Sequence, residues 1–155
     1  MWYVGLDVGK RWHSGVVMNA LGQVAQQQKL PADPLVVRRF FEPLEGPCRV
    51  VLEATGHWMA VYDQVEAAVQ EVVLAHPLKV LAIASARIKT DRIDATTLAH
   101  LLRADLIPRA DLPPRSVRDW RELVRHRAFL VRLQTRVKNR VHLLLFIVAK
   151  PLYVL

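Results

Sequence analysis

Length, composition and charge bound what this chain is. Its 155 residues are 52% hydrophobic and 23% charged, which fits one compact domain and excludes a disordered or low-complexity protein. The net charge of +8 at pH 7 indicates an anionic partner, either nucleic acid or a membrane surface. Residues 86–155 carry 15 basic and 6 acidic residues, so the positive charge is concentrated in the C-terminal half.

The cysteine content and one apolar run bear on the cellular compartment. Cys48 is the only cysteine, which fits a reducing cytoplasm, and we expect it to be a small apolar residue at the start of a strand. The apolar run 143–149 is interrupted by Lys150 and Pro151, well short of the roughly 20 residues that a membrane helix needs. We therefore expect a cytoplasmic protein with no membrane span.

The first half of the chain predicts an open sheet with helices. Short apolar or alternating runs, bounded by turn residues, predict five strands at residues 2–8, 12–19, 22–29, 49–53 and 71–75. The first three strands follow one another through short turns and are expected to pair antiparallel. A helix is predicted from the prolines at 31 and 34 to Phe41, and a second over residues 58–69.

The second half is predicted to be helical. Residues 79–86 and 91–104 are expected to form two short helices, followed by a break rich in proline. The segment from Arg115 to Val148 contains neither proline nor glycine and predicts one long helix. The apolar side of the helix over 91–104 is expected to consist of Ile93, Thr97, Leu98, Leu101 and Leu102.

The long helix is strongly basic. Between residues 115 and 141 it carries nine basic and two acidic residues, a charge that suits contact with phosphates. The alternative is a solvated helix face that packs into a coiled coil, and both interpretations stay open. The expected regions are a carboxylate-bearing domain over 1–112, the basic helix over 113–149 and a tail of different pattern over 150–155.

Two carboxylates are expected at strand ends inside the sheet. Asp7 and Glu53 end neighbouring inner strands, where an ionised side chain loses hydration that a cation or strong donors must replace. A divalent metal is the natural partner, and a salt bridge from Lys10 to Asp7 is the alternative.

A second pair of carboxylates lies on a predicted helix. Asp91 and Asp94 are three residues apart and share one helix face, although Asp91 as N-cap with Asp94 in the first turn is an alternative explanation. The order of the whole set favours a site with oxygen ligands for Mg²⁺ or Mn²⁺, in which two ions support phosphodiester chemistry. The six histidines show no paired-ligand spacing, so a zinc site is not expected.

Four stretches carry a resemblance to a known family. They are GLDVGK (5–10), VLEATGHW (51–58), HPLKVLAIASARIKTDRIDATTLAHLL (76–102) and RELVRHRAFLVRLQTRVKNRVHLLL (121–145). Together they resemble the one-ten family of bacterial insertion-sequence transposases, whose N-terminal domain is similar to the Holliday-junction resolvase RuvC and carries a DEDD carboxylate set. The KTDRIDA run is the most specific of these motifs.

The resemblance implies a fold, an activity and a set of site residues. The implied fold is α/β and RNase H-like, with three antiparallel N-terminal strands in a mixed sheet, flanking helices and a long C-terminal basic helix. The implied activity is DNA transposition, with Asp7, Glu53, Asp91 and Asp94 as the catalytic carboxylates that bind Mg²⁺ or Mn²⁺. The nucleic-acid-binding candidates are Lys10, Lys89, Arg118, Arg121, Arg125, Arg132, Arg136, Lys138 and Arg140.

The resemblance also implies partners and a departure from the family. DNA is the expected partner, together with a guide RNA and with a second copy or full-length transposase bound through the long helix. The family's second domain supplies a serine nucleophile, but all six glycines here lie at or before Gly56, and the three serines match no such motif. We therefore expect a truncated copy that is inactive alone in strand transfer.

Two alternatives to a metal-dependent transposase domain stay open. One is a non-catalytic nucleic-acid-binding fragment that interferes with full-length transposase. The other is a phosphotransferase of the actin-like sugar kinase fold, because GLDVGK before a hairpin is similar to the phosphate loop of those enzymes. Such kinases need further glycine-rich segments, and none follows Gly56.

Overall fold

The structure is a computed structural model that describes residues 1–83 and 91–149, with the backbone alone for residues 91–93. The chain forms two compact units, Met1–Asp111 and Leu112–Leu155. The first unit contains a sheet with helices, and the second contains one long helix.

Five strands form one mixed sheet in the order β3-β2-β1-β4-β5. The two hairpin pairings, β1 with β2 and β2 with β3, are antiparallel, whereas β1 with β4 and β4 with β5 are parallel. The strands are β1 (Trp2–Val8), β2 (Trp12–Met18), β3 (Val24–Pro31), β4 (Cys48–Glu53) and β5 (Glu71–Ala75). The predicted α/β mixed sheet with three antiparallel N-terminal strands is confirmed.

Five helices accompany the strands in the described part of the chain. They are α1 (Pro34–Phe41), α2 (Trp58–Val65), α3 (Pro77–Ile83), α4 (Asp91–Arg103) and α5 (Arg115–Ala149). Asp33 caps α1 by accepting hydrogen bonds from the backbone amides of Leu35 and Val36, at 2.8 and 3.4 Å. The long helix predicted in the second half is confirmed as α5, and the tail predicted over 150–155 lies outside the described residues.

Several element boundaries differ from the prediction, and local turns explain two of them. The third strand begins at Val24 rather than at residue 22, because Asn19 Oδ1 accepts hydrogen bonds from the amides of Leu21 and Gln23 and Gly22 takes a φ of 83°. The second helix ends at Val65 rather than at residue 69, since the chain must turn back to pair β5 with β4.

The sheet is covered on both faces. One face contributes Val4, Leu6 and Val50 to a core that also contains buried side chains of α1 and α2. The other face is covered by α4, whose buried residues are Ala95, Leu98, Ala99 and Leu102. The predicted apolar side of α4 is confirmed for Leu98, Leu101 and Leu102, which pack in the core, and it omitted two alanines that lie at the contact, while Thr97 is only half-buried. Ile93 lies outside the described side chains.

Helix α4 packs against the central strand at a glycine. A Cβ atom added to Gly5 would overlap the carbonyl oxygen of Ala95 and lie 2.8 Å from the amide nitrogen of Ala99. Both obstacles are helix backbone, which cannot move aside without shifting α4. The absence of a side chain at Gly5 therefore sets the distance between β1 and α4.

An ion-pair cluster lies just beyond the C-terminal end of α4. Glu71 accepts hydrogen bonds from Arg49 Nε at 2.6 Å and from Arg109 Nη1 at 2.9 Å, and Arg49 Nη2 also approaches Asp105 Oδ1 at 3.5 Å. Burial raises the pKa of Glu71, but the two guanidinium groups outweigh this effect and hold the pKa below its ordinary value. The cluster thus connects the beginnings of β4 and β5 to the segment that follows α4.

Replacing Gly5 by alanine tests the close packing of α4. We expect Gly5→Ala to lower the free energy of unfolding by about 1–3 kcal/mol, because the added methyl group displaces helix backbone. The matched control is Gly56→Ala, where an added Cβ has no heavy atom within 4 Å and the change is expected to stay within about 0.5 kcal/mol. Urea unfolding followed by circular dichroism measures both, and equal effects would contradict the account.

A buried histidine makes stability depend on pH. His13 is 4% exposed, and its Nδ1 has no hydrogen-bond partner among the described residues. Burial lowers the pKa of His13, and this effect exceeds the opposing one of hydrogen bonds to the backbone of Gly9 and Trp12, while a charged His57 lowers it further. The unfolded chain therefore binds a proton at His13 more readily than the folded chain does.

The lowered pKa of His13 determines how stability changes with pH. The contribution of neutral, buried His13 to the stability of the folded chain is fully present above the unfolded pKa of about 6.5 and is lost as the pH falls below it. Urea unfolding between pH 7.5 and 5 is expected to show a falling free energy of unfolding, with a shallower slope in His13→Gln and an unchanged slope in His100→Gln, whose histidine is exposed. An equally steep slope in the His13 variant would show that another group is responsible.

Candidate functional site

The two strand carboxylates lie side by side at one end of the sheet. β1 and β4 pair in parallel with Leu6 opposite Leu52, so the next residues, Asp7 and Glu53, continue the same register. Side chains alternate along a strand, and Asp7 therefore shares the face of Gly5, which is the face covered by α4. Glu53 likewise shares the face of Val51, whose side chain packs with α4. Both carboxylates are half-buried.

The direction of α4 brings its first turn to the same end of the sheet. The last residue of α4, Arg103, approaches the carbonyl oxygen of Ala20 at 3.4 Å and also lies against Gly22. This turn between β2 and β3 lies where β1 begins, because Tyr3 pairs with Met18. Helix α4 consequently runs antiparallel to β1 and begins near the end where Asp7 and Glu53 lie.

The helix carboxylates belong to that first turn. Asp94 is half-buried and directly precedes Ala95, the residue that contacts Gly5. Asp91 is the first residue of α4, but its side chain lies outside the described residues. The backbone thus brings the four predicted ligands towards one end of the sheet, two from strands and two from a helix.

The side-chain geometry of a complete metal site is not formed by the described carboxylates alone. Among the residues with described side chains, no group of three or more His, Cys, Asp or Glu stands close enough to hold an ion. The set nevertheless consists of carboxylate oxygens, which hard divalent cations prefer. Because Asp7 and Glu53 are neighbouring acids removed in part from water, a bound cation would lower their mutual repulsion.

Ser14 is a polar neighbour of the carboxylates that the sequence analysis missed. It lies directly opposite Asp7 in the antiparallel pair of β1 and β2, and its side chain is buried. Residues opposite one another in such a pair have Cβ atoms about 4.5–5.5 Å apart. The register of the predicted hairpin was the signal that could have identified it.

The basic candidates are mostly exposed. In α5 the exposed ones are Arg121, Arg125, Arg132, Arg136, Lys138 and Arg140. Arg118 differs, since it is only 9% exposed. Lys10 is exposed in the first unit, and Lys89 lies outside the described residues.

Helix α5 also exposes many large apolar side chains. One set recurs every seven residues and consists of Leu123, Leu130, Val137 and Leu144. The sequence analysis overlooked an aromatic residue among the arginines: Phe129 is 55% exposed and stacks on His126 with ring centroids 6.3 Å apart. In the described part of the chain, no helix is both long and apolar enough to cross a membrane.

The only cysteine does not belong to the candidate site. Cys48 begins β4, at the opposite end of that strand from Glu53, and its side chain is buried. Burial raises the pKa of the Cys48 thiol to about 11, so it is protonated near neutral pH. The expectation of a small apolar strand residue agrees with this position.

Thiol labelling tests the assignment of Cys48 to the core. We expect a disulfide reagent at pH 8 to react with the native chain at least about 100-fold more slowly than with the urea-unfolded chain, because both burial and the raised pKa suppress the thiolate. Absorbance of the released thiol measures both rates. Comparable rates would place Cys48 at the surface.

The fold is typical of one class of protein, and a comparison of the sequence with family models identifies the family. A mixed five-stranded sheet with an antiparallel N-terminal meander, flanking helices and a long C-terminal helix is consistent with an RNase H-like transposase domain. The family model for DEDD transposases of the IS110 type matches residues 4–148. The chain therefore belongs to the IS110 family of DEDD transposases, which is the family that the sequence motifs resembled. A comparison with curated proteins found no match.

Proposed function

We propose that this chain is the metal- and nucleic-acid-binding part of a transposase that acts in DNA transposition. Its membership in a transposase family supports the general activity and DNA as the partner. The observation that carries the more specific proposal is the direction of α4, whose first turn begins near the end of the sheet where Asp7 and Glu53 lie side by side.

The proposed ligands of the metal are Asp7, Glu53, Asp91 and Asp94. Two of them extend from paired strands, whose backbone is fixed by the sheet, and two come from the helix that packs on Gly5. A set made of carboxylates alone suits Mg²⁺ or Mn²⁺. Held by these carboxylates, two such ions would supply the positive charge that activates a water or hydroxyl and stabilises the leaving oxygen of a phosphodiester.

The protein's own residues position this chemistry. Asp7 and Glu53 supply a negative surface beside the sheet, and Ser14 offers a hydroxyl opposite Asp7 that is suited to orient its carboxylate. Partial burial of the acids by α4 keeps bulk water from screening them. Lys10 and Lys89, in the same motifs, are proposed to contact DNA phosphates.

Helix α5 is proposed to bind the DNA backbone and a second protein chain. Its exposed arginines provide the positive charge for phosphates, and the heptad-spaced leucines and valine provide an apolar seam. A second copy or a full-length transposase is the proposed partner at that seam, and a guide RNA is a further proposed partner by family resemblance. We propose residues 1–112 and 113–149 as the two functional regions.

Metal binding is tested by thermal unfolding with and without Mn²⁺. The wild-type chain is expected to gain stability with Mn²⁺, because an ion that binds only the folded state stabilises it. Asp7→Asn and Glu53→Gln are expected to weaken the apparent affinity for Mn²⁺ by at least about tenfold, or ~1.4 kcal/mol. The control is Asp111→Asn, which removes an exposed carboxylate elsewhere and should retain the wild-type gain.

The same variants separate the transposase function from the non-catalytic alternative. Mn²⁺-dependent nicking of branched DNA that is lost in Asp7→Asn and retained in Asp111→Asn would support a catalytic site. DNA binding without cleavage, together with Mn²⁺ stabilisation that is unchanged by Asp7→Asn, would contradict the proposed metal site and favour a nucleic-acid-binding fragment.

A further inference from the structure

Four exposed arginines lie on one face of α5. Arg121, Arg125, Arg132 and Arg136 are spaced by four, seven and four residues, so they fall within about 60° of one another around the helix. They span 15 residues, or about 22 Å along the helix axis. We call these four residues the arginine stripe.

An aromatic side chain interrupts the arginine stripe. Phe129 lies on the same face, between Arg125 and Arg132, and is 55% exposed. Its ring and that of His126 are stacked, with centroids 6.3 Å apart and planes inclined by 27°. Beside it, Phe129, Arg132, Leu133 and Arg136 line a surface cleft of about 330 Å³.

The position of Phe129 is not explained by helix pairing. The seam formed by Leu123, Leu130, Val137 and Leu144 lies roughly a third of a turn away from the arginine stripe. Phe129 is not one of the seam residues, and it lies between Arg125 and Arg132 along the chain. A large apolar side chain in that setting calls for a ligand that is both aromatic and anionic.

We propose that Phe129 and the arginine stripe form a binding site for single-stranded DNA, in which an unpaired base stacks on Phe129 while the arginines contact the flanking phosphates. An aromatic side chain between cations is the pattern by which proteins bind single strands, because every base offers a flat face. Bases within a duplex are stacked on one another and do not offer that face. Membership in a transposase family favours DNA as the source of the strand.

Two arginines of the stripe make contacts within α5. Arg125 is held by Glu122 at 2.7 Å, and Arg132 Nε donates to the carbonyl oxygen of Ala128 at 3.2 Å. Both contacts lie within about one turn of the helix, one before Phe129 in the chain and one beside it. Four arginines against Glu122 leave the stripe positively charged, which complements a phosphate backbone.

The inference rests on the proposed nucleic-acid binding by α5, and the experiment separates the two. Fluorescence anisotropy is measured with a labelled 12-nucleotide DNA strand and with an abasic strand of the same length, over a series of salt concentrations. Arg132→Gln combined with Arg136→Gln is expected to weaken binding of both strands and to make the salt dependence shallower, because two fewer phosphates are neutralised.

Phe129→Ala carries the specific prediction. It is expected to weaken binding of the base-containing strand by about 5- to 150-fold, the equivalent of ~1–3 kcal/mol, with an unchanged salt dependence and no effect on the abasic strand. Phe129→Trp should retain the affinity. The control is Val131→Ala, which removes an exposed side chain from a different face, and circular dichroism checks that each variant stays helical.

Four results would overturn the inference. Unchanged binding by Phe129→Ala, with weaker binding by the arginine variant, would leave phosphate binding by α5 and remove the stacking site. No effect of either variant would remove both proposals. Equal loss on the abasic strand would show that Phe129 does not contact a base, and a Phe129-dependent preference for RNA over DNA would contradict the assignment to DNA.

Discussion

The close contact between a helix backbone and the central strand is the constraint on which the candidate metal site depends. Gly5 has no side chain, and the space that a Cβ would take is filled by backbone atoms of Ala95 and Ala99. Helix α4 therefore packs closely on β1 at this point. The contact joins Ala95, the residue after Asp94, to Gly5, two residues before Asp7. At the other end of the same helix, Arg103 donates to the carbonyl oxygen of Ala20 at 3.4 Å, which agrees with a helix that runs antiparallel to β1.

The two units of the chain differ in charge: residues 1–111 contain 12 basic and 12 acidic residues, whereas residues 112–155 contain 10 basic and 2 acidic residues. The first has half-buried acids at a sheet end, an arrangement that favours divalent cations. The second has exposed arginines along one helix, where solvent lowers the free energy of each contact with a phosphate but several contacts add up. The proposed sites for divalent ions and for a nucleic-acid strand are thus built from different elements, the first from the sheet and α4 and the second from α5.

Much of the fold could be predicted from the sequence because its signals are local. The apolar runs of β1 and β4 identify buried neighbouring strands, and their parallel register follows once both are inner strands, so the adjacency of Asp7 and Glu53 was accessible. The alanine contact of α4 could not be predicted, because alanines carry little hydrophobic signal. The short distance between α4 and β1 depends on Gly5, which is 90 residues before Ala95 in the chain. Phe129 was overlooked because its meaning depends on which helix face carries the arginines.

The central claim is that carboxylates far apart in the sequence form one site for divalent cations, and diffraction from crystals grown with Mn²⁺ tests it most directly. The account predicts an anomalous scattering peak about 2.0–2.3 Å from carboxylate oxygens of Asp7 and Glu53, next to the first turn of α4. A peak bound elsewhere, or ordered Asp91 and Asp94 side chains that face away from the two strand carboxylates, would contradict it.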